Sequence, residues 1–271
     1  QARGFLLGAT AGRTTLNGEG LQHQDGHSHV LAAKIPNCRA YDPCYAYELA
    51  VIIQDGLRRM YADDERVFYY VTVMNENYPH PPMPDGAEEG ILKGIHRIGT
   101  FGPQGETAKR VRLLGSGTIL NEVLQAAERL AAEHGVASEV WSVTSFTELA
   151  RDGADVARWN LLHPTQDQRR AYVSECLEGD TPVIAATDYI KVHAESIRGL
   201  IDAPYRVLGT DGFGRSDTRA RLRDFFEVDS RFVTIAALKE LADSQIIPVA
   251  DVATAIDELG IDADKPNPRL T

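Results

Sequence analysis

Val67-Phe68-Tyr69-Tyr70-Val71-Thr72-Val73-Met74 is the stretch that decides the fold. It is apolar, aromatic or β-branched nearly throughout, with no polar alternation. A strand of that kind has both faces covered, as in a parallel sheet flanked by helices. Asn75-Glu76-Asn77 leaves its C-terminal end, the side on which open α/β sheets place ligands. Upstream, Phe5-Leu6-Leu7 and Ile35-Pro36-Asn37-Cys38-Arg39-Ala40-Tyr41 read as short strands. Asp42-Pro43 reads as a helix start, with Asp capping and Pro at the first helical position. Leu49, Ile52, Ile53 and Leu57 give that helix, running to about Met60, one apolar face.

Downstream, residues 78–84 carry four of the chain's thirteen prolines, a stiff connection that marks the boundary between predicted domains 1–84 and 85–271. A short helical piece is expected near 86–95 and a polar loop at 100–109. Then strands at 111–114, 139–143, 182–186 and 205–209 alternate with helices at about 118–134, 152–162 and 188–200. Helices at about 218–226, 230–244 and 248–259 finish the chain. Strands separated by helices imply right-handed crossovers. The expected class is therefore α/β: two α/β domains with mostly parallel sheets.

The 271 residues are 43% hydrophobic and 25% charged, enough to bury a substantial core. A net charge of −11 argues against a nucleic-acid partner, which needs clustered Lys and Arg. No apolar run approaches the roughly 18 residues of a membrane span, so no membrane partner is expected. No signal-peptide pattern is present. Cys38, Cys44 and Cys176 have no CxxC spacing, so a reducing compartment is expected in place of a disulfide framework or a thiolate metal site. The chain begins at Gln1 in sequence that already reads as structured, as expected of a fragment or a processed chain.

Gly18-Glu19-Gly20-Leu21-Gln22-His23-Gln24-Asp25-Gly26-His27-Ser28-His29 is the richest functional stretch. Its glycines break a helix, so it reads as a loop. His23, Asp25, His27 and His29 have three readings. They bind a metal, they hydrogen-bond the loop into shape, or they work on a substrate as proton donors or electrostatic partners. Gly115-Ser116-Gly117 resembles half of a phosphate-binding turn, but Leu120 stands where a third glycine belongs, which favours a tight packing turn. Asp211-Gly212-Phe213-Gly214-Arg215-Ser216-Asp217 either holds an anion through its backbone and Arg215 or packs at a subunit interface. Thr147 to Asp152 reads as a charged turn. His80, His96, His134, His163 and His193 stand alone and read as structural or exposed.

Three long strings carry a resemblance. Arg13-Thr14-Thr15-Leu16-Asn17-Gly18-Glu19-Gly20-Leu21-Gln22-His23, Val143-Thr144-Ser145-Phe146-Thr147-Glu148-Leu149-Ala150-Arg151-Asp152-Gly153 and Gly209-Thr210-Asp211-Gly212-Phe213-Gly214-Arg215-Ser216-Asp217 resemble the homodimeric bacterial pyruvate dehydrogenase E1 component. The similarity runs through essentially the whole chain. More distantly, Asp25-Gly26-His27-Ser28-His29 is similar to the Asp-Gly-Pro-Thr-His loop of transketolases, with His27 in place of Pro.

The resemblance implies a cytoplasmic, homodimeric enzyme using thiamine diphosphate and Mg²⁺. Such an enzyme decarboxylates pyruvate and reductively acetylates the lipoyl group of an E2 acyltransferase, linking glycolysis to acetyl-CoA synthesis. The thiazolium supplies the electron sink for the reaction. Residues 1–84 would be the second part of the pyrimidine-binding middle domain, and 85–271 the transketolase-type C-terminal domain. His23 matches a family active-site histidine that faces the substrate. Asp25, His27 and His29 would order the loop, and Asp25 and His29 would reach substrate by the transketolase comparison. Asn75 and Glu76 read as structural. The family's metal-binding motif and its aminopyrimidine-activating glutamate have no counterpart here, so no cofactor or metal ligand is assigned and the chain alone is expected to be inactive. The competing readings are another transketolase-superfamily enzyme and a non-catalytic dimerisation module with a His-rich metal-binding loop.

Overall fold

A computed structural model describes residues 2–9, 11–105 and 108–271. The chain opens with β1 (Gly4–Ala9), α1 (Ser28–Ala32), β2 (Cys38–Tyr41), α2 (Ala46–Leu57) and β3 (Phe68–Val73). These strands form one parallel sheet, in the order β1-β3-β2. The long apolar run is thus the central strand, and none of its residues is fully exposed. Residues 74–84 then run on without regular structure.

Next come α3 (Glu88–Lys93), β4 (His96–Phe101), β5 (Arg110–Gly115), α4 (Ile119–His134), β6 (Ala137–Ser142), α5 (Phe146–Leu162), α6 (Tyr172–Cys176), β7 (Val183–Ala186), α7 (Val192–Glu195) and β8 (Tyr205–Leu208). Helices α8 (Arg219–Phe225), α9 (Ser230–Asp243) and α10 (Val249–Glu258) follow. The second sheet has the order β4-β6-β5-β7-β8 and is parallel except for β4, which runs against β6 at one edge. Successive strand residues point to opposite faces. Leu113 therefore packs with Leu130, Val140 and Leu241 under α4 and α9, while Leu114 packs with Phe146, Leu149 and Ala194 under α5 and α7. Among the described residues no helix is long and apolar enough to cross a membrane.

Several local expectations change. The second helix starts at Ala46, not at Asp42: the Glu48 carboxylate accepts the N–H groups of Cys44 (2.6 Å) and Tyr45 (3.0 Å), so Glu48 does the capping. Asp42 is free for another use and is buried. The Thr147–Asp152 stretch is not a turn but the start of α5, because the Ser145 hydroxyl accepts the Glu148 N–H at 3.0 Å and caps the helix there. The expected 188–200 helix is only α7 and a separate 3₁₀ turn at Arg198–Leu200. Strand β4 and helix α6 had no counterpart among the expected elements.

The C-terminal ends of the two sheets face each other. The Asp42 N–H donates to the Thr144 carbonyl (2.7 Å) and the Gly117 N–H to the Asp42 carbonyl (3.1 Å). The Ser145 hydroxyl donates to the Ala40 carbonyl (2.6 Å). Deeper in the seam, the buried Glu48 carboxylate meets His96 Nε2 at 2.7 Å and the Ser142 hydroxyl at 2.6 Å. A second clip joins Glu76, just past β3, to buried Arg223 of α8, which also donates to Glu122 of α4 at 3.0 Å. Glu76 and His96 are thus both structural, as read from sequence.

Candidate active site

The histidine loop lies against this seam and is tied to both halves. The Gly18 N–H donates to the Asp217 carbonyl (2.9 Å), and the Gly26 carbonyl accepts the Ile190 N–H (3.1 Å). Leu21–His23 forms a 3₁₀ turn that leaves His23 exposed. Asp25 takes both the His27 and Ser28 N–H groups on one carboxylate oxygen, each at 3.0 Å, and the Ser28 hydroxyl on the other. That pattern caps the start of α1 from two residues further out. Asp25 therefore orders the loop, and its oxygens are taken by it.

His27 and His29 diverge. His27 is exposed. His29 is 1% exposed, and its Nε2 lies 3.0 Å from Thr72 Oγ1 on β3. Its ring packs edge-on against Tyr189 and Tyr70 and stacks on His193, with centroids 5.0 Å apart. Burial disfavours the imidazolium and pushes His29 down to about 3, and it pushes His193 well below the usual range. Both rings are neutral struts. His29 is buried on the core side of the loop, where its contact with Thr72 ties the loop to β3.

Around Thr72 sits a buried acid. Its hydroxyl lies 2.6 Å from Asp42 Oδ1 and 3.2 Å from the Tyr41 carbonyl. Burial pushes Asp42 up to about 7, against the hydrogen bonds from Thr72 and Ser116. Across the seam, Asp188 follows β7 and accepts the Thr14 N–H at 3.1 Å on both oxygens. Burial raises it to about 6, although Arg223 and Thr14 pull the other way. Buried Arg13 crosses between the halves. Its Nη1 donates to the carbonyls of Thr210 (2.6 Å) and Gly212 (2.5 Å), and its Nη2 lies 3.4 Å from His27 Nδ1. Burial lowers the Arg13 pKa, while Asp188, Asp25 and Asp211 raise it.

Among the described residues no three His, Cys, Asp or Glu side chains come together to hold a metal ion. The glycine turn at 115–117 is not a phosphate site either. A Cβ on Gly117 would lie 2.7 and 2.9 Å from the two Asp42 oxygens, so a carboxylate already stands where an anion would have to approach. At 211–217, Asp211 Oδ1 accepts the Lys191 N–H (2.8 Å) and Arg215 lies over the Phe225 ring at 4.3 Å. A cavity of about 530 Å³ opens there, beside the loop, lined by Leu21, Phe213, Arg215, Arg221 and Phe225 among others.

Sequence reading missed Arg13, Asp42, Thr72, Asp188 and the pairing of His193 with His29. One signal was available: Asp42, Thr72 and Asp188 sit at or just past the ends of strands, where α/β folds collect polar groups.

Residues 1–81 match the pyruvate dehydrogenase E1 component middle domain, and residues 100–229 match the transketolase-like TK C-terminal domain. The chain is 59% identical to the pyruvate dehydrogenase E1 component of Cupriavidus necator over 269 residues and to that of Escherichia coli K12 over 272. Those alignments take in 99% and 100% of this chain but 30% of each relative, so the chain spans about a third of the length of the curated relatives it matches. In fold it is similar to a transketolase variant from Pichia stipitis (TM-score 0.64, 14% identity, 89% of this chain and 30% of that one). It is also similar to the transketolase of Leishmania mexicana (TM-score 0.60, 18% identity, 88% of this chain and 30% of that one). Along its whole length, on a transketolase-like α/β architecture, the chain is thus similar to pyruvate dehydrogenase E1 components, to their middle-domain and C-terminal part.

Proposed function

We propose that this chain is part of a thiamine diphosphate-dependent enzyme that decarboxylates pyruvate and reductively acetylates the lipoyl group of an E2 acyltransferase. The enzyme acts as a homodimer in the cytoplasm and would use Mg²⁺ with the cofactor. Residues 1–84 are the second part of its middle domain and 85–271 its C-terminal domain. The observation that carries this reading is the 59% identity to pyruvate dehydrogenase E1 components along the full chain.

No cofactor or metal ligand is assigned to this chain's own residues. The cofactor, which would supply the electron sink when bound, is held in this reading mostly by residues outside this chain, and the chain alone is inactive. What these residues contribute is a rigid loop at the edge of the site. His23, on its 3₁₀ turn, offers an exposed imidazole to orient the carboxylate of a 2-oxo acid or hold a proton beside it. Asp25 and His29 hold that loop in place, and His27, four residues after His23, is exposed as well.

The test is pyruvate-dependent ferricyanide reduction by the whole enzyme containing this chain, beside ketose transfer from a pentose phosphate. Activity in the first assay and none in the second supports the proposal. The reverse pattern would make the protein a transketolase.

A further inference from the structure

Arg13 has no role in the reading so far, yet it is 2% exposed and reaches the open side of the loop. A guanidinium has donors only. Its Nη2 lies 3.4 Å from His27 Nδ1, so Nδ1 must be the acceptor. In a neutral imidazole the hydrogen is then on Nε2.

We propose that Arg13 is a positioning residue that fixes the tautomer of His27, so that His27 presents an Nε2–H donor on the open side of the loop. Three observations hold the arginine to this task. Its Nη1 is pinned by the Thr210 and Gly212 carbonyls in the loop after β8, so the guanidinium cannot follow the histidine loop. Its plane packs on Gly26, where a Cβ would lie 2.5 Å from Cζ and Nη2, so residue 26 must lack a side chain for Arg13 to reach His27. Asp188, Asp25 and Asp211 surround the buried cation and compensate its charge without occupying the His27 contact.

A ring fixed in this way is a donor at Nε2, suited to a carboxylate or carbonyl oxygen. It takes a second proton only by turning Nδ1 away from Arg13. His27 is thus set up to hold the oxygen of a 2-oxo acid, and the exposed His23 of the same loop is left for proton handling. This division of labour rests on the proposed reaction at the loop; the tautomer itself does not.

The test uses the whole enzyme. Histidine labelled with ¹⁵N reports which ring nitrogen bears hydrogen, and the His27 signals are identified by difference against His27→Gln. The expected result is the Nε2–H form in the parent enzyme and a mixture of tautomers in Arg13→Lys, whose single ammonium cannot serve both the carbonyls and the ring. Hydrogen on Nδ1 in the parent enzyme overturns the proposal, and so does an unchanged tautomer in Arg13→Lys. In kinetics, Arg13→Lys should lower pyruvate turnover about tenfold in the parent and leave it nearly unchanged in a His27→Gln background. Equal losses in both backgrounds would show that Arg13 serves the fold and not His27. If His27→Gln is fully active, the substrate role given to His27 fails, while the ¹⁵N result still decides the Arg13 assignment.

Discussion

His27 and His29 are two positions apart in one loop and do opposite things. His27 precedes α1 and stays exposed under the Arg13 guanidinium. His29 lies in the first turn of α1, which swings it onto the core side, against Thr72, Tyr189 and His193. One is available for chemistry. The other is a buried neutral strut that fixes where the first stands. The spacing of histidines in a loop shows that they are clustered. The short helix that begins between them decides which one faces outward.

Truncation should expose the contrast most strongly. His29→Ala removes a ring packed among three others and leaves Thr72 without that partner, so unfolding should become easier by about 3 kcal/mol. His27→Ala should change stability by no more than about 0.5 kcal/mol, as for a surface position. Denaturant unfolding of the two variants side by side checks this, and equal losses would break the comparison.

Acid should act on two buried partners of Thr72, His29 and Asp42, in opposite directions. His29, lowered from 6.5 to about 3, favours the folded state above its ordinary value, and that contribution is lost as pH falls from about 6.5 towards 3. Asp42, raised from 3.8 to about 7, does the reverse: its contribution is present at low pH and is lost as pH rises towards 7. Each fully shifted group has a slope of about 1.4 kcal/mol per pH unit within its window. Relative to the parent, His29→Phe should therefore gain stability from pH 7 to pH 5, and Asp42→Asn should gain from pH 5 to pH 8. Parallel curves for parent and variants would mean that neither group titrates as its burial demands.

A smaller effect is expected at Gly26, just before His27. Gly26→Ala would place a Cβ 2.5 Å from the Arg13 guanidinium and should lower stability by about 1–2 kcal/mol. Its effect on turnover should exceed that of Gly135→Ala, where a Cβ meets nothing within 4 Å. Smallest of all, His23→Gln should move the unfolding midpoint by a degree or so at most, because the ring is exposed.

Most of the architecture was legible because its elements keep their period. The Val67–Met74 run became the central strand of its sheet, and α4, α8, α9 and α10 end within a residue of where they are expected. Strand β4 was missed because His96-Arg97-Ile98-Gly99-Thr100-Phe101 mixes charge and glycine, with a register shift between Arg97 and Gly99, as an antiparallel edge strand permits. Asp42 was misread because a capping signature is local, whereas its true partners, Thr72 and Gly117, lie 30 and 75 positions away. The site divides in the same way. The histidine loop was legible as a cluster. Arg13 was not, because its partners Thr210 and Gly212 lie nearly 200 residues further on and only the fold brings them to it.

The most direct test of the central claim, that the exposed side of this loop works on a 2-oxo acid, is pyruvate-dependent ferricyanide reduction by the whole enzyme, parent beside His23→Ala. Activity in the parent and a loss of about tenfold or more in the variant, with an unchanged unfolding midpoint, is the predicted result. Full activity in His23→Ala would contradict it and leave the loop as a structural tie between the two sheets.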